Sequence, residues 1–137
     1  MDILIVNGPN LNLLGKREPA IYGYNSMDEI LTEIKETFPN FNVMYFQSNI
    51  EGEIINRLQD ENYEALIINP GAYSHYSIAI ADALKNITRK KIEVHISNIY
   101  SRERFRQKSI TASSVDSLIS GFGIKGYLLA VYSLSNG

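Results

Sequence analysis

Two pairs of side chains in this 137-residue chain are suited to moving protons: Glu93 with His95, and Arg17 with Tyr22. Residues two apart on a strand point to the same face, so in Glu93-Val94-His95 the carboxylate can sit beside the imidazole and orient it. Arg17 and Tyr22 share the segment Arg17-Glu18-Pro19-Ala20-Ile21-Tyr22. An unaided phenol, with a pKa near ~10, is only about one part in a thousand ionised at pH 7. A guanidinium within reach lowers a neighbouring acid by ~1–3 units and brings a useful fraction of phenolate into play. A histidine backed by a carboxylate, with a tyrosine close to an arginine, makes an acid and base pair. The chain has only two histidines and no cysteine. Disulfides, thiolate nucleophiles and thiolate metal sites drop out, and His75 and His95 match no familiar metal-ligand spacing. Proton transfer without metal or other cofactor is the expected chemistry.

The elements that must carry these groups read as alternating strands and helices. Four short apolar runs, Ile3 to Val6, Phe41 to Phe46, Ala65 to Ile68 and Ile92 to Ile96, have the β-branched or aromatic character of strands. Two of them are continuous rather than alternating, as buried parallel strands are. Ser26-Met27-Asp28-Glu29 has the form of a capping box, followed by Ile30, Leu31, Ile34 and Phe38 at helical spacing. Residues 51 to 60 and 75 to 86 also read as helices, the second burying Ile78, Ala79, Ala81, Ala83 and Leu84. Ser117 to Phe122 reads either as a fifth strand or as a helical turn ended by Gly121. The strand is favoured, because a helix from about Ile124 to Leu134 then completes the alternation. The expected fold is one α/β domain over residues 1–137, a doubly wound sheet of five parallel strands with helices on both faces. By analogy with similar sheets its strand order is expected to be 2-1-3-4-5.

Ligands of open α/β sheets bind beyond the carboxyl ends of the strands. Here those ends read Asn7-Gly8-Pro9-Asn10, Gln47-Ser48-Asn49, Asn69-Pro70-Gly71-Ala72 and His95-Ile96-Ser97-Asn98. Any one of them alone is only a turn signal; together they gather amides, hydroxyls and a histidine. The stretch from Asn7 to Tyr24 lacks periodicity and exceeds the usual loop of about 4–6 residues, as a lid over a pocket would. His75 near a helix start can simply cap or pack, and Arg102, Arg104 and Arg106 can form a solvated basic face.

Composition excludes other classes. Apolar content of 45% and charged content of 20% are those of an ordinary globular domain, and a net charge of −2 suggests no nucleic-acid or membrane surface. The first apolar run is too short and lacks the basic leader of a signal peptide, so a cytoplasmic location is expected. Asn7 and Asn69 stand where a phospho-acceptor receiver domain needs acids. The loop after the first strand lacks the hydroxyls of a flavin phosphate site, and dinucleotide and Walker-type motifs are missing.

The segments NGPNLNLLGKREPAIYG, QSNIEGEIINRLQ, IINPGAYSHYSIAIADAL, EVHISNIYSRERFR and GFGIKGYLLA, in this order, resemble the type II 3-dehydroquinate dehydratases, from Asp2 to about Val131. The resemblance implies a flavodoxin-like fold, dehydration of 3-dehydroquinate to 3-dehydroshikimate in the shikimate route to aromatic compounds, and a homododecamer built from trimers. It implies that Tyr22 takes the proton from carbon 2, with Arg17 lowering its pKa. A water held partly by Asn10 faces the enolate oxygen, and His95, oriented by Glu93, protonates the departing hydroxyl on carbon 1. By the same resemblance Asn69 would hold that hydroxyl, the backbone N–H groups of Ile96 and Ser97 would bind the carboxylate, His75 and Arg106 would contact the ring hydroxyls, and Asp82 would reach a neighbouring subunit's site.

The chain departs from the commoner pattern at Ile50, where many members carry histidine, at Ala81, where many carry arginine, and at Tyr100-Ser101, in place of His-Ala. These positions bear on assembly contacts and pocket edges. The other class of dehydroquinate dehydratase uses a lysine Schiff base in a barrel of about 250 residues, which this chain is too short to build. Its lysines are expected in loops, helices or helix ends, so an anti elimination through an enolate is expected instead. The alternative is a ligand-binding domain of the same fold that has lost turnover; the presence of Arg17, Tyr22, Glu93 and His95 speaks against it.

Overall fold

The computed structural model describes residues 1–14 and 26–135. The strands are β1 (Asp2–Asn7), β2 (Asn42–Gln47), β3 (Ala65–Asn69), β4 (Lys90–His95) and β5 (Ser117–Ser120). All pair in parallel, in the order β2-β1-β3-β4-β5. The central strands β1 and β3 are covered on both sides, which is why their sequences are continuous apolar runs. The edge strands β2 and β5 are only partly covered and accordingly mix polar and apolar residues.

Four helices complete the layers: α1 (Met27–Thr37), α2 (Glu51–Gln59), α3 (Ile78–Lys85) and α4 (Lys125–Ser135). Alternate strand residues feed two separate cores. Ile3, Ile5, Ile67 and Val94 meet Ile30 and Ile34 of α1 and Tyr127 and Val131 of α4 on one face. Leu4, Val6, Leu66 and Ile68 meet Ile54 and Leu58 of α2 and Ile80 and Leu84 of α3 on the other. The sheet is thus doubly wound, as expected.

The capping box is present: Ser26 Oγ accepts from the Glu29 N–H, and Glu29 reaches back to the Ser26 N–H. It satisfies two of the donors that open every helix. The expected helix over 75–86 is shorter. Residues Gly71–His75 form a 3-10 turn, and α3 starts only at Ile78, capped by Ser77 Oγ accepting from the Ile80 N–H. That start sets the buried face: Ile80, Ala81, Ala83 and Leu84 point inward, whereas Ile78 (69% exposed) and Ala79 do not. Two lysines also differ from expectation. Lys90 and Lys91 open β4, and the Lys91 ammonium donates to the Leu84 and Ile87 carbonyls at 2.9 and 2.7 Å. It thereby satisfies acceptors left over at the end of α3.

The long connection after β1 is not loose in its described part. Leu11–Leu13 form a 3-10 turn, and Leu11 and Leu14 join the core beneath α1. Arg17 and Tyr22, expected on a lid, lie outside the described residues.

Candidate active site

The carboxyl ends of β1, β3 and β4 open into one pocket. Among the described residues it is lined by Asn10 from the turn after β1, Asn69 at the end of β3, His75 from the following 3-10 turn, and His95, Ile96 and Ser97 at the end of β4. Arg102 and Arg106 close one side. Every expected pocket residue that the structure describes is therefore brought together except Asp82, which is exposed on α3 away from this pocket, and Glu93, which lies beneath it. Arg102, read from sequence as part of a solvated face, joins Arg106 at the wall. No described acidic side chain lines the pocket, so its charge suits an anionic ligand.

The strand geometry couples Glu93 to His95 as alternation predicts. Glu93 Oε2 lies 2.6 Å from His95 Nε2, with Glu93 wholly buried and His95 5% exposed. Neither oxygen of Glu93 lacks a partner. Thr111 Oγ1 donates to Oε1 at 2.5 Å, and Ser109 Oγ donates to Oε2 at 2.7 Å. With Nε2 committed to the carboxylate, Nδ1 is the ring nitrogen left for a ligand. His75 is fixed in a similar way: its Nδ1 donates to the Lys108 carbonyl at 2.8 Å, which leaves Nε2 for the pocket.

Asn69 is held by both ends of its amide. Its Oδ1 accepts from the Gly71 N–H at 3.0 Å, and its Nδ2 donates to Tyr127 Oη at 3.0 Å. Tyr127 Oη in turn donates to Asn7 Oδ1 at 2.7 Å, and Asn7 Nδ2 donates to Tyr45 Oη at 3.2 Å. A phenol from α4 thus joins the ends of β1 and β3 under the pocket floor. Burial pushes the Tyr127 phenol well above its usual pKa, against the lowering effect of the hydrogen bond it accepts from Asn69. Burial likewise raises Tyr45. Sequence reading missed this hub, although a tyrosine in an apolar helix that must bury its hydroxyl is itself a signal that a partner exists.

Asn10 takes a left-handed conformation, φ 68°, the one described non-glycine residue with positive φ. Asparagine tolerates that region better than most residues. Its N–H donates to Asn49 Oδ1 at 2.9 Å, and Gln47 Nε2 donates to the Gly8 carbonyl at 3.1 Å. The amides after β2 therefore hold the turn after β1 rather than line the pocket. Gly8 is required by close approach: a Cβ there would stand 2.3 Å from the Pro70 carbonyl oxygen. Any side chain would force the turns after β1 and β3 apart.

The arginine wall is built differently. Arg102 donates to Ser97 Oγ at 3.3 Å, and Arg106 pairs with Glu103 at 2.9 Å. The backbone at Glu103 itself, and then Arg106, hold the exposed Glu103 carboxyl below its ordinary pKa. The three departures from the commoner pattern stand clear of the pocket. Ile50 and Tyr100 are exposed, and Ala81 lies on the buried face of α3.

The fold and this pocket define an α/β protein with a histidine–carboxylate couple in a cleft at the carboxyl edge of its sheet. Comparison with known proteins makes the class specific. The family model described as dehydroquinase class II matches residues 1–135. A 3-dehydroquinate dehydratase of Caldicellulosiruptor saccharolyticus is 56% identical, covering 96% of this chain and 94% of its own. The crystal structure of a type II dehydroquinase from Butyrivibrio crossotus superposes with a TM-score of 0.94 at 46% identity, covering 98% of this chain and 97% of the other. That of Propionibacterium acnes gives 0.92 at 41% identity, covering 99% and 97%. The chain belongs to the class II dehydroquinase family.

Proposed function

We infer that this chain is a 3-dehydroquinate dehydratase that eliminates water in the anti sense through an enolate. The observation that carries the reading is the Glu93–His95 couple, 2.6 Å apart, set into a pocket walled by Arg102 and Arg106 and free of described acidic side chains. Such a pocket suits a substrate carboxylate, and such a couple suits proton donation to a leaving hydroxyl.

In this reading the Tyr22 phenolate, with Arg17 nearby, takes a proton from carbon 2, and the electron pair moves onto the ketone oxygen at carbon 3. A water held partly by Asn10 donates to that oxyanion. His95, protonated on both ring nitrogens, then gives its Nδ1 proton to the hydroxyl on carbon 1, which leaves as water, and keeps its Nε2 proton on Glu93. The enolate electrons return to close the double bond between carbons 1 and 2. The protein ends with a neutral Tyr22 and a His95 short of one proton, and solvent exchange restores both. Asn69 steadies the departing hydroxyl, Ile96 and Ser97 receive the substrate carboxylate, and His75 and Arg106 take the ring hydroxyls.

The same reading includes the shikimate route to aromatic amino acids, a cytoplasmic location and a homododecamer of trimers, in which Asp82 on the exposed side of α3 reaches a neighbour's pocket. Among the described residues no helix is long and apolar enough to cross a membrane. Sedimentation or light scattering tests the assembly directly. A monomer that turns over at full rate would remove Asp82 from the site.

The decisive experiment follows ultraviolet absorbance after purified protein is mixed with 3-dehydroquinate, without added metal or cofactor. The conjugated enone of the product should raise the absorbance. Tyr22→Phe should retain substrate binding and lose turnover. If binding and turnover fall together, Tyr22 is not the base, and a borohydride-trapped adduct would replace the enolate route with a covalent one.

A further inference from the structure

The segment 108–111 follows the arginine wall in the chain and bonds behind both pocket histidines, directly to His75 and through Glu93 to His95. The Lys108 carbonyl accepts from His75 Nδ1. The Ile110 N–H donates to the Ser74 carbonyl at 2.8 Å, which ties the segment to the turn carrying His75. Ser109 and Thr111 supply the two hydroxyls on Glu93. We propose that Ser109 and Thr111 are positioning residues for the elimination: their hydroxyls fix the Glu93 carboxylate as an acceptor, and through it hold the His95 ring with its Nε2–H on Glu93 and its Nδ1–H, the proton it gives up, turned toward the substrate. This rests on the dehydratase reading above and extends it to residues that never meet the substrate.

The chemistry demands such a device. An ionised carboxylate has about four lone-pair positions and no donor, and a wholly buried one needs partners for them. His95 supplies one. Without the other two, Glu93 would be a buried charge with open acceptor positions, free to rotate about its last torsion toward any remaining donor. Thr111 is fully buried and Ser109 partly so. The Ser109 hydroxyl is itself fixed, accepting from the Ala112 N–H at 3.1 Å and lying 3.1 Å from Thr111 Oγ1. The hydroxyls are thus locked from behind and aimed at the carboxylate. A single connection between the arginine wall and β5 sets the ring orientation of both histidines.

Thr111→Val keeps the shape and removes the hydroxyl, whereas Thr111→Ser keeps the hydroxyl and removes a methyl. In the full-length protein, Thr111→Val is expected to lower kcat by roughly 10- to 100-fold with KM changed by less than about threefold. Thr111→Ser should stay within a few fold of the parent. Nitrogen-15 NMR of the two histidines gives a second readout. The parent should show a proton on His95 Nε2 with a strongly low-field resonance, and a proton on His75 Nδ1. The low-field signal should move or vanish in Thr111→Val and persist in Thr111→Ser. Equal losses in the Val and Ser variants would assign Thr111 a packing role and overturn the proposal, as would an unchanged rate and signal in Thr111→Val. If Thr111→Val does not fold, Ser109→Ala decides: a loss of roughly 3- to 10-fold in kcat with a shifted signal sustains the proposal, and parental values reject it. The NMR signal reads the positioning independently of turnover. The rate of His95→Ala on 3-dehydroquinate reads the dehydratase assignment independently of Thr111.

Discussion

The floor and the arginine wall of the pocket are built on opposite principles. On the floor, Glu93, His95, Asn69 and Asn7 are buried and joined to Tyr127, Thr111 and Ser109 by hydrogen bonds that leave little freedom. On the wall, Arg106 is steadied by the exposed carboxylate of Glu103, and Arg102 by a hydroxyl at 3.3 Å. A group that must give a proton at one atom needs orientation, because misplacement by ~1 Å can cost about 100-fold in rate. A group that draws in an anionic substrate by its charge needs only to stand within reach and tolerates movement. The two regions should therefore fail differently when damaged: the floor through kcat and stability, the wall through KM and salt.

His95→Ala should have the largest effect, a fall in kcat of ~10²–10⁴-fold, the usual span for a positioned acid. Binding of substrate, followed calorimetrically, should change far less. Arg106→Ala should do the reverse, raising KM by roughly 10- to 100-fold, the range for a lost hydrogen bond to a charged group, while kcat stays within a few fold. Affinity of the parent should weaken with added salt, and less steeply in the Arg106 variant. Should Arg106→Ala depress kcat as deeply as His95→Ala, the division between floor and wall would be wrong.

A third test concerns the cost of disturbing the floor. Tyr127→Phe keeps the ring and strands Asn69 Nδ2 and Asn7 Oδ1 in a buried site, for a loss of about 1–3 kcal/mol in urea unfolding. Its pH dependence has a definite sign. Burial raises the folded-state pKa of Tyr127 above the ordinary phenol value of about 10. The stability gained by keeping the phenol protonated is therefore complete below about pH 10 and is lost as pH rises through the folded value. The gap between parent and variant should be flat to about pH 10 and then narrow. A gap that widens there would mean that the folded protein holds the phenolate more readily than the unfolded chain.

Much of the floor is legible in the sequence alone. Continuous apolar runs gave β1 and β3, the capping box gave the start of α1, and two-residue alternation placed Glu93 under His95. Those signals are local, and the sheet has no reason to override them. What was hidden depended on tertiary meeting. Nothing near Tyr127 in sequence announces Asn7 or Asn69, and Ser109 and Thr111 read as ordinary polar loop residues. The sequence predicts too long a helix over 75–86, because a 3-10 turn and a side-chain cap share the composition of a helix start. Arg102 and Arg106 illustrate the same boundary. Basic residues on an exposed turn look alike whether they face solvent or a pocket, and only the fold decides.

The smallest expected effect tests the wall at its weakest support. Glu103 is exposed, and its carboxyl is held below its ordinary pKa first by a backbone hydrogen bond and then by Arg106. What it contributes is present above the usual glutamate range near 4.5 and fades as pH falls through the lowered folded value. Exposed ion pairs are worth little because water screens them and two long side chains lose freedom to make them. Glu103→Gln should therefore shift KM by no more than about fivefold near neutral pH and leave kcat and the urea midpoint almost unmoved. The shift should shrink further in high salt, since only a screened interaction was removed. A large fall in kcat would show instead that Glu103 fixes Arg106 as rigidly as Thr111 and Ser109 fix Glu93. The wall would then be as preorganised as the floor, by exposed groups rather than buried ones.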